Sequence, residues 1–178
     1  MTAFLEKPAK HKEYDLILVR GAPGVGKTTL AKRLRAHFPK GITIEVDSFK
    51  DMVNLLDWND TTRYHHILEA VAMTCRSFLE KGYAPVIVVD TLSAEILEDF
   101  NAILQKSRNE PSCLVVTLVC DPEVLEQRIK GRKNGFSSIE PSLAINEDMR
   151  KYRVFDEFLV DTTTSSPDEV LALVLARI

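Results

Sequence analysis

Nine residues constrain this chain more than any others. Gly21-Ala22-Pro23-Gly24-Val25-Gly26-Lys27-Thr28 complete the pattern G-x-x-x-x-G-K-[ST], and Thr29 follows directly. The apolar run Leu16–Val19 stands before it and reads as a short buried strand. Leu30, Ala31, Leu34 and Phe38 follow at the spacing of one helix face. A strand, a glycine-rich loop and a helix in that order make a phosphate cradle. The glycines let successive backbone N–H groups turn inward around a polyphosphate, and the helix N-terminus adds partial positive charge. Lys27 is expected to reach the β- and γ-phosphates, and the Thr28 hydroxyl to coordinate Mg²⁺. All nine residues are therefore candidates for nucleotide contact, and the pattern points to a bound nucleoside triphosphate.

The rest of the chain alternates strand-like and helix-like runs. Ile42–Val46 follows the Pro39-Lys40-Gly41 breaker as a second strand, and a helix is expected from Thr61 to Lys81. Pro85–Asp90 is a continuous apolar strand, followed by a helix with Ile96, Leu97, Phe100, Ile103 and Leu104. Cys113–Cys120 reads as the fourth strand, and Asp121-Pro122 opens a helix with Asp as cap and Pro in the first turn. The polar stretch 132–142 reads as irregular, 147–155 as helix, 158–160 as a fifth strand and 168–178 as the closing helix. Continuous apolar strands between helices argue a parallel sheet covered on both faces, an α/β fold. With 178 residues, no repeats and no low-complexity linker, one domain spanning 1–178 is expected.

Composition excludes several classes of function. A net charge of −3 gives no general attraction to nucleic acid or membranes. No apolar run approaches the ~20 residues that span a bilayer, and residues 1–13 lack the apolar core of a secretory signal. Cys75, Cys113 and Cys120 lie in apolar stretches without C-x-x-C spacing. Free thiols in a reducing cytoplasm are the expected reading, with no metal cluster. Oligomeric state is not encoded in any feature of the sequence.

Ligands of such sheets bind beyond the carboxyl ends of the strands, so the residues there are the candidates for chemistry. Asp47 follows the second strand and is placed to accept a proton from an attacking hydroxyl; capping the helix that starts near Ser48 is the alternative. Asp90 ends the third strand after four apolar residues, the pattern whose carboxylate holds Mg²⁺ through its water shell. The two aspartates can exchange the roles of base and metal holder. Arg128 and Arg132 lie four residues apart beyond the fourth strand. With Lys130 and Lys133 they form the one dense basic cluster, flanked by Gly131 and Gly135. Two guanidinium groups on a short lid at about 128–142 suit phosphoryl transfer, and a solvated basic helix end is the alternative. The hydroxyl-rich run 161–167 either borders an adenine ring or forms a polar turn in which Ser166 or Asp168 caps the last helix. Trp58, Tyr64 and Arg63 are weaker candidates for lining an acceptor pocket. His65 and His66 lack partners at catalytic spacing.

With the loop at 21–28, Asp47 closing the second strand and Arg128/Arg132 after the fourth, the chain resembles the small P-loop kinases of the nucleoside-monophosphate-kinase-like group. Chloramphenicol phosphotransferase, gluconate kinase and the 5′-hydroxyl polynucleotide kinase domain are its nearest likenesses. The resemblance runs from Leu16 to Ile178. It implies a three-layer α/β/α fold with a five-stranded parallel sheet in the order 2-3-1-4-5. It further implies ATP and Mg²⁺ as ligands, Lys27, Asp47, Arg128 and Arg132 as catalytic groups, Thr28 and Asp90 on the metal side, and Arg128 against the nucleotide. The Gly-Asp-x-Leu-Arg element of adenylate kinases and the Gly-Gly-Gly motif of shikimate kinases are absent, Asp90 being followed by Thr91-Leu92-Ser93. A hydroxyl-bearing small molecule is the expected acceptor, ahead of a polynucleotide end or a regulatory NTPase with no acceptor.

Overall fold

The computed structural model describes residues 14–53, 60–105, 111–132, 136, 138–154 and 157–178. Five parallel strands, β1 (Leu16–Gly21), β2 (Ile42–Glu45), β3 (Val86–Asp90), β4 (Cys113–Val119) and β5 (Glu157–Asp161), form one sheet in the order β2-β3-β1-β4-β5. The helices are α1 (Lys27–His37), α2 (Val46–Met52), α3 (Thr61–Glu80), α4 (Ala94–Gln105), α5 (Pro122–Lys130), α6 (Ile139–Lys151) and α7 (Pro167–Leu175). This is the architecture and strand order that the sequence implied. Because β1 is central, its residues feed both cores. Ile17 and Val19 pack with Leu30, Leu34, Val116, Leu125 and Val170 on one face. Leu16 and Leu18 pack with Ile44, Val71, Val88, Phe100 and Leu104 on the other. Strands buried on both faces need continuous apolar runs, which explains why β1, β3 and β4 stand out in the sequence.

Three elements depart from expectation. α6 begins at Ile139 and ends at Lys151, so the segment read as irregular to 142 is helical from 139, and the helix read over 147–155 ends earlier. Its inward stripe includes Ser142 and Asn146, both buried, and two polar residues on the buried face hide the apolar period. The proposed lid at 128–142 therefore consists of the end of α5, the start of α6 and a short connection between them. Gly131 has φ −79°, an ordinary helical value; Lys133 and Gly135 lie outside the described residues. β2 stops at Glu45, and Val46 already opens α2, leaving Asp47 inside the first turn. Glu45 occupies the N-cap position without a side-chain cap bond, so Asp47 is not the cap.

The other ends follow ordinary helix chemistry. Asp121 is the N-cap of α5 with Pro122 behind it, yet its carboxylate makes no cap bond and instead accepts from Arg150 Nη1 at 3.1 Å. Ser166 and Glu169 form a reciprocal capping box at α7, while Asp168 pairs with Arg33. Cys75 and Cys120 are buried, Cys113 is partly buried, and all three are free thiols. Burial pushes Cys75 and Cys113 up to about 12, so neither is a reactive thiolate. Among the described residues no helix is long and apolar enough to cross a membrane.

Candidate nucleotide and acceptor site

A cleft of about 1000 Å³ opens at the carboxyl ends of the strands, where the sheet order puts the β1–α1 loop in the middle. Gly21 must be glycine because a Cβ there would lie 2.6 Å from the Leu118 carbonyl oxygen. Gly26, at the N-cap of α1, takes φ +107°, a conformation that side-chain-bearing residues rarely adopt. Pro23, Gly24, Gly26, Lys27, Thr28 and Thr29 line the cleft. Ala22 and Val25 are packed into the core below, and Gly21 is buried beside them. Lys27 Nζ donates to the carbonyl oxygens of Gly21 at 2.7 Å and Ala22 at 3.1 Å, folding its own ammonium back over the loop. Burial pushes Lys27 down to about 8 from 10.5, despite the opposing pull of Asp90 and Asp47 and with added repulsion from Arg132 and Lys50. A polyphosphate beside Lys27 would favour its charged form and offset this burial cost.

On the β2/β3 side, four residues form one charged cluster. Asp90, at the end of β3, is 4% exposed. Its Oδ1 accepts from Lys50 Nζ at 2.8 Å and from the Thr91 amide at 2.7 Å, and its Oδ2 accepts from the Tyr64 hydroxyl at 2.6 Å. Lys50 Nζ also donates to Asp47 Oδ1 at 3.0 Å and lies 5.2 Å from the Tyr64 ring centroid. Burial would discharge Lys50, but the charges and hydrogen bonds of Asp90 and Asp47 outweigh it and hold the ammonium above its usual value. Burial and the Asp90 carboxylate push the Tyr64 phenol up, so it stays a donor. The two aspartates, interchangeable by sequence, differ sharply here. Asp90 is enclosed and holds three donors, whereas the Asp47 side chain is 76% exposed and faces the cleft with capacity left over.

Beneath the loop, Arg20 closes β1 and is fully buried. Its Nε donates to Thr117 Oγ1 at 2.9 Å, Nη1 to the Leu92 carbonyl at 2.9 Å and Nη2 to Glu157 Oε2 at 3.4 Å. It thereby holds the β3–α4 loop at Leu92, whose φ of +41° is the one left-handed value at a non-glycine among the described residues. Thr91, Ser93 and Glu95 of this loop and the start of α4 line the cleft.

On the β4/β5 side, Arg128 and Arg132 both reach the cleft. α5 ends at Lys130, so they do not share a helix face. Arg128 donates to Thr162 Oγ1 at 2.9 Å and to the Thr162 carbonyl at 2.6 Å, while Arg132 Nη1 donates to the Phe136 carbonyl at 3.4 Å. Thr162 belongs to the hydroxyl-rich run, which thus both carries a cap at Ser166 and anchors an arginine. Arg63 pairs with Asp60 away from the cleft wall, and His65 lies beside Glu69. Trp58 lies outside the described residues.

Sequence reasoning passed over Lys50 and Arg20. Each carried a signal: Lys50 sits one helical turn after Asp47, and Arg20 is a lone charge ending an otherwise apolar buried strand. Among the described residues no group of three or more His, Cys, Asp or Glu side chains could hold a metal ion. A metal in this cleft would depend on Thr28, on water held at the acceptor position that its three donors leave on Asp90, and on ligand oxygens. That donor set suits Mg²⁺, which keeps waters and shares substrate phosphates.

A phosphate loop at the centre of a 2-3-1-4-5 parallel sheet, with a cleft above it, defines a P-loop nucleotide-binding fold of the small-kinase type. The chain belongs to the AAA domain family, whose model matches residues 17–153. Among solved structures it is similar to a sugar kinase from Janibacter sp. HTCC2649, with 21% identity over 92% of this chain and 93% of that one and a TM-score of 0.69. A gluconokinase from Sinorhizobium meliloti 1021 shares 21% identity over 93% of each chain, with a TM-score of 0.67. The tunicamycin resistance protein of Deinococcus radiodurans shares 15% over 92% of this chain and 95% of that one, also at 0.67. The superpositions establish a shared fold, and at these identities nothing beyond it. No protein of curated function matches the chain in sequence.

Proposed function

We propose that this protein is an ATP-dependent kinase that transfers the γ-phosphoryl group to a hydroxyl of a small acceptor. The observation that carries the reading is the open Asp47 carboxylate, held by Lys50 in the same cleft as the Lys27 ammonium of the phosphate loop. A regulatory NTPase needs no open carboxylate on the acceptor side of its phosphate loop. The sugar kinase and gluconokinase of like fold support the same reading. No membrane and no nucleic acid is required by it.

In this reading the triphosphate lies along the loop and α1 N-terminus, with Lys27 releasing the Gly21 and Ala22 carbonyls to bind the β- and γ-oxygens. Gly21, Ala22 and Val25 shape the loop, while Pro23, Gly24, Gly26, Thr28 and Thr29 face the ligand. Thr28 and an Asp90-held water would bind Mg²⁺, which when present supplies charge neutralisation at the phosphates. Arg128, fixed by Thr162, faces the nucleotide, and Arg132 neutralises charge on the transferring group. Asp47 orients the acceptor hydroxyl and takes its proton as the oxygen attacks phosphorus in line, with ADP leaving. Enclosure of Asp90 by three donors supports Asp47 as the base, with Asp90 on the metal side.

The test is ADP release with Mg²⁺·ATP and a panel of sugars, nucleosides, antibiotics and 5′-hydroxyl oligonucleotides. Stimulation by one class, reduced about 10²-fold or more in Asp47→Asn, is expected. Full turnover by Asp47→Asn on a stimulating acceptor would remove Asp47 as base, and stimulation by none would favour the regulatory class.

A further inference from the structure

We infer that the acceptor carries no anionic group: the β2/β3 half of the cleft takes an uncharged or amine-bearing hydroxyl compound and disfavours sugar acids and phosphorylated chains. The inference rests on the kinase reading and names the chemical class of its acceptor. Recognition of a carboxylate or phosphate by side chains calls for a cation that can turn its donors to the ligand. Two cations line this half, and both are committed elsewhere. Lys50 is buried between Asp47 and Asp90. Arg20 is buried, with its donors on Thr117, Leu92 and Glu157. Withdrawing Lys50 would leave the buried Asp90 without a counter-ion, and withdrawing Arg20 would break its buried bonds to Thr117, Leu92 and Glu157 together.

The charges that do face this half are acidic. The Asp47 side chain is largely exposed, Glu95 is exposed at the start of α4, and Glu45 is half-buried at the end of β2. Glu45 and Glu95 make no ion pair among the described residues. From 51 to 62 the sequence carries neither Lys nor Arg. The next cation, Arg63, is spent on Asp60. Lys27, Arg128 and Arg132, the remaining cations of the cleft, stand at the loop and on the β4/β5 side, where the triphosphate needs them. An anionic acceptor would therefore meet like charges with no counter-ion, whereas an ammonium would meet partners. Thr91 and Ser93, with Leu92 and Ile96 behind them, offer hydroxyls and an apolar wall suited to a polyol or amino alcohol.

The experiment compares kcat/KM across matched acceptors that differ only in charge: a sugar, its aldonic acid and its amino-sugar counterpart, together with a nucleoside and the corresponding 5′-hydroxyl oligonucleotide. The uncharged or amine-bearing member of each set is expected to exceed the anionic one at least tenfold. Glu95→Lys should narrow that gap at least threefold, and Glu95→Gln should lower preference for the amine alone. Preference for the acid or the oligonucleotide would overturn the inference while leaving the kinase reading intact. Stimulation by no member, with ATP hydrolysis still abolished in Lys27→Ala, would overturn the kinase reading and the inference together.

Discussion

The two halves of the cleft are held by different forces. On the β4/β5 side the contacts that position the loop and α6 come mainly from neutral side chains bonded to backbone, with ion pairs of Arg150 at the edge. Asn146 of α6 donates to the Cys120 carbonyl at 2.8 Å and accepts from the Cys120 amide at 3.1 Å, replacing a strand partner at the end of β4. Thr162 bonds to the Val25 and Val119 carbonyls and carries Arg128. On the β2/β3 side, the framework is the ionic cluster of Asp47, Lys50, Asp90 and Tyr64. Neutral side-chain-to-backbone bonds tolerate changes of pH and salt. Buried charges fix geometry more sharply but fail badly when one partner is lost.

That contrast predicts the largest stability effect at Lys50. Lys50→Met strands Asp90 with its charge still buried, and should cost about 3–5 kcal/mol, read as a lower urea midpoint. Tyr64 and Thr91 still donate to Asp90, which favours the lower end of that range. Adding Asp90→Leu should recover part of the loss, because an apolar pair replaces an unpaired charge. A loss below 1 kcal/mol for Lys50→Met would show that the ionic cluster does not hold this half together.

The same contrast explains what the sequence revealed. The strands, the loop and the aspartates after the strands were legible because each depends on local pattern: apolar runs, glycine spacing, and a carboxylate beyond a strand; the strand order followed from the family resemblance. Which of Asp47 and Asp90 is enclosed was not, since both follow apolar strand-like runs and only packing encloses one of them. α6 was misplaced because its buried face carries Ser142 and Asn146, whose partners lie 4 and 26 residues away along the chain. Arg20 shows the general difficulty. Its partners on β4, β5 and the β3–α4 loop are 72 to 137 residues distant, and no local window contains them.

A smaller effect is expected on the neutral side. Asn146→Ala removes both bonds to Cys120 and leaves a buried amide and carbonyl to find water or go unpaired, at a cost of about 2 kcal/mol. Unlike the Lys50 effect, this loss should be nearly the same at 50 mM and at 500 mM salt, because no charge is involved. Urea denaturation at the two salt concentrations separates the halves directly. A strongly salt-dependent Asn146→Ala loss would mean that α6 is held instead by its ion pairs, such as those of Arg150 with Asp121 and Asp161.

The smallest effect lies where the halves meet, at Lys27. In the free protein its ammonium is pushed down to about 8, so above that pH the amine is neutral and below it charged. A bound triphosphate favours the charged form and raises that value. Binding above pH 8 must then take up a proton, whereas binding at pH 6.5 needs none from Lys27. Affinity should fall as pH rises through about 8, with a limiting slope of about tenfold per pH unit, or about 1.4 kcal/mol. The linkage acts oppositely on the unliganded fold. A lysine depressed in the native state costs stability below pH 8, and that cost is relieved between about 8 and 10.5 as the unfolded chain binds the extra proton. Lys50, held above its usual value, stays charged through this window and cannot imitate the effect. Calorimetric titration of ATP in buffers of different ionisation enthalpy at pH 6.5 and 8.5 measures the uptake. Proton uptake at 8.5 that disappears in Lys27→Met would assign the linkage to this side chain; equal uptake in the variant would place it elsewhere in the cleft.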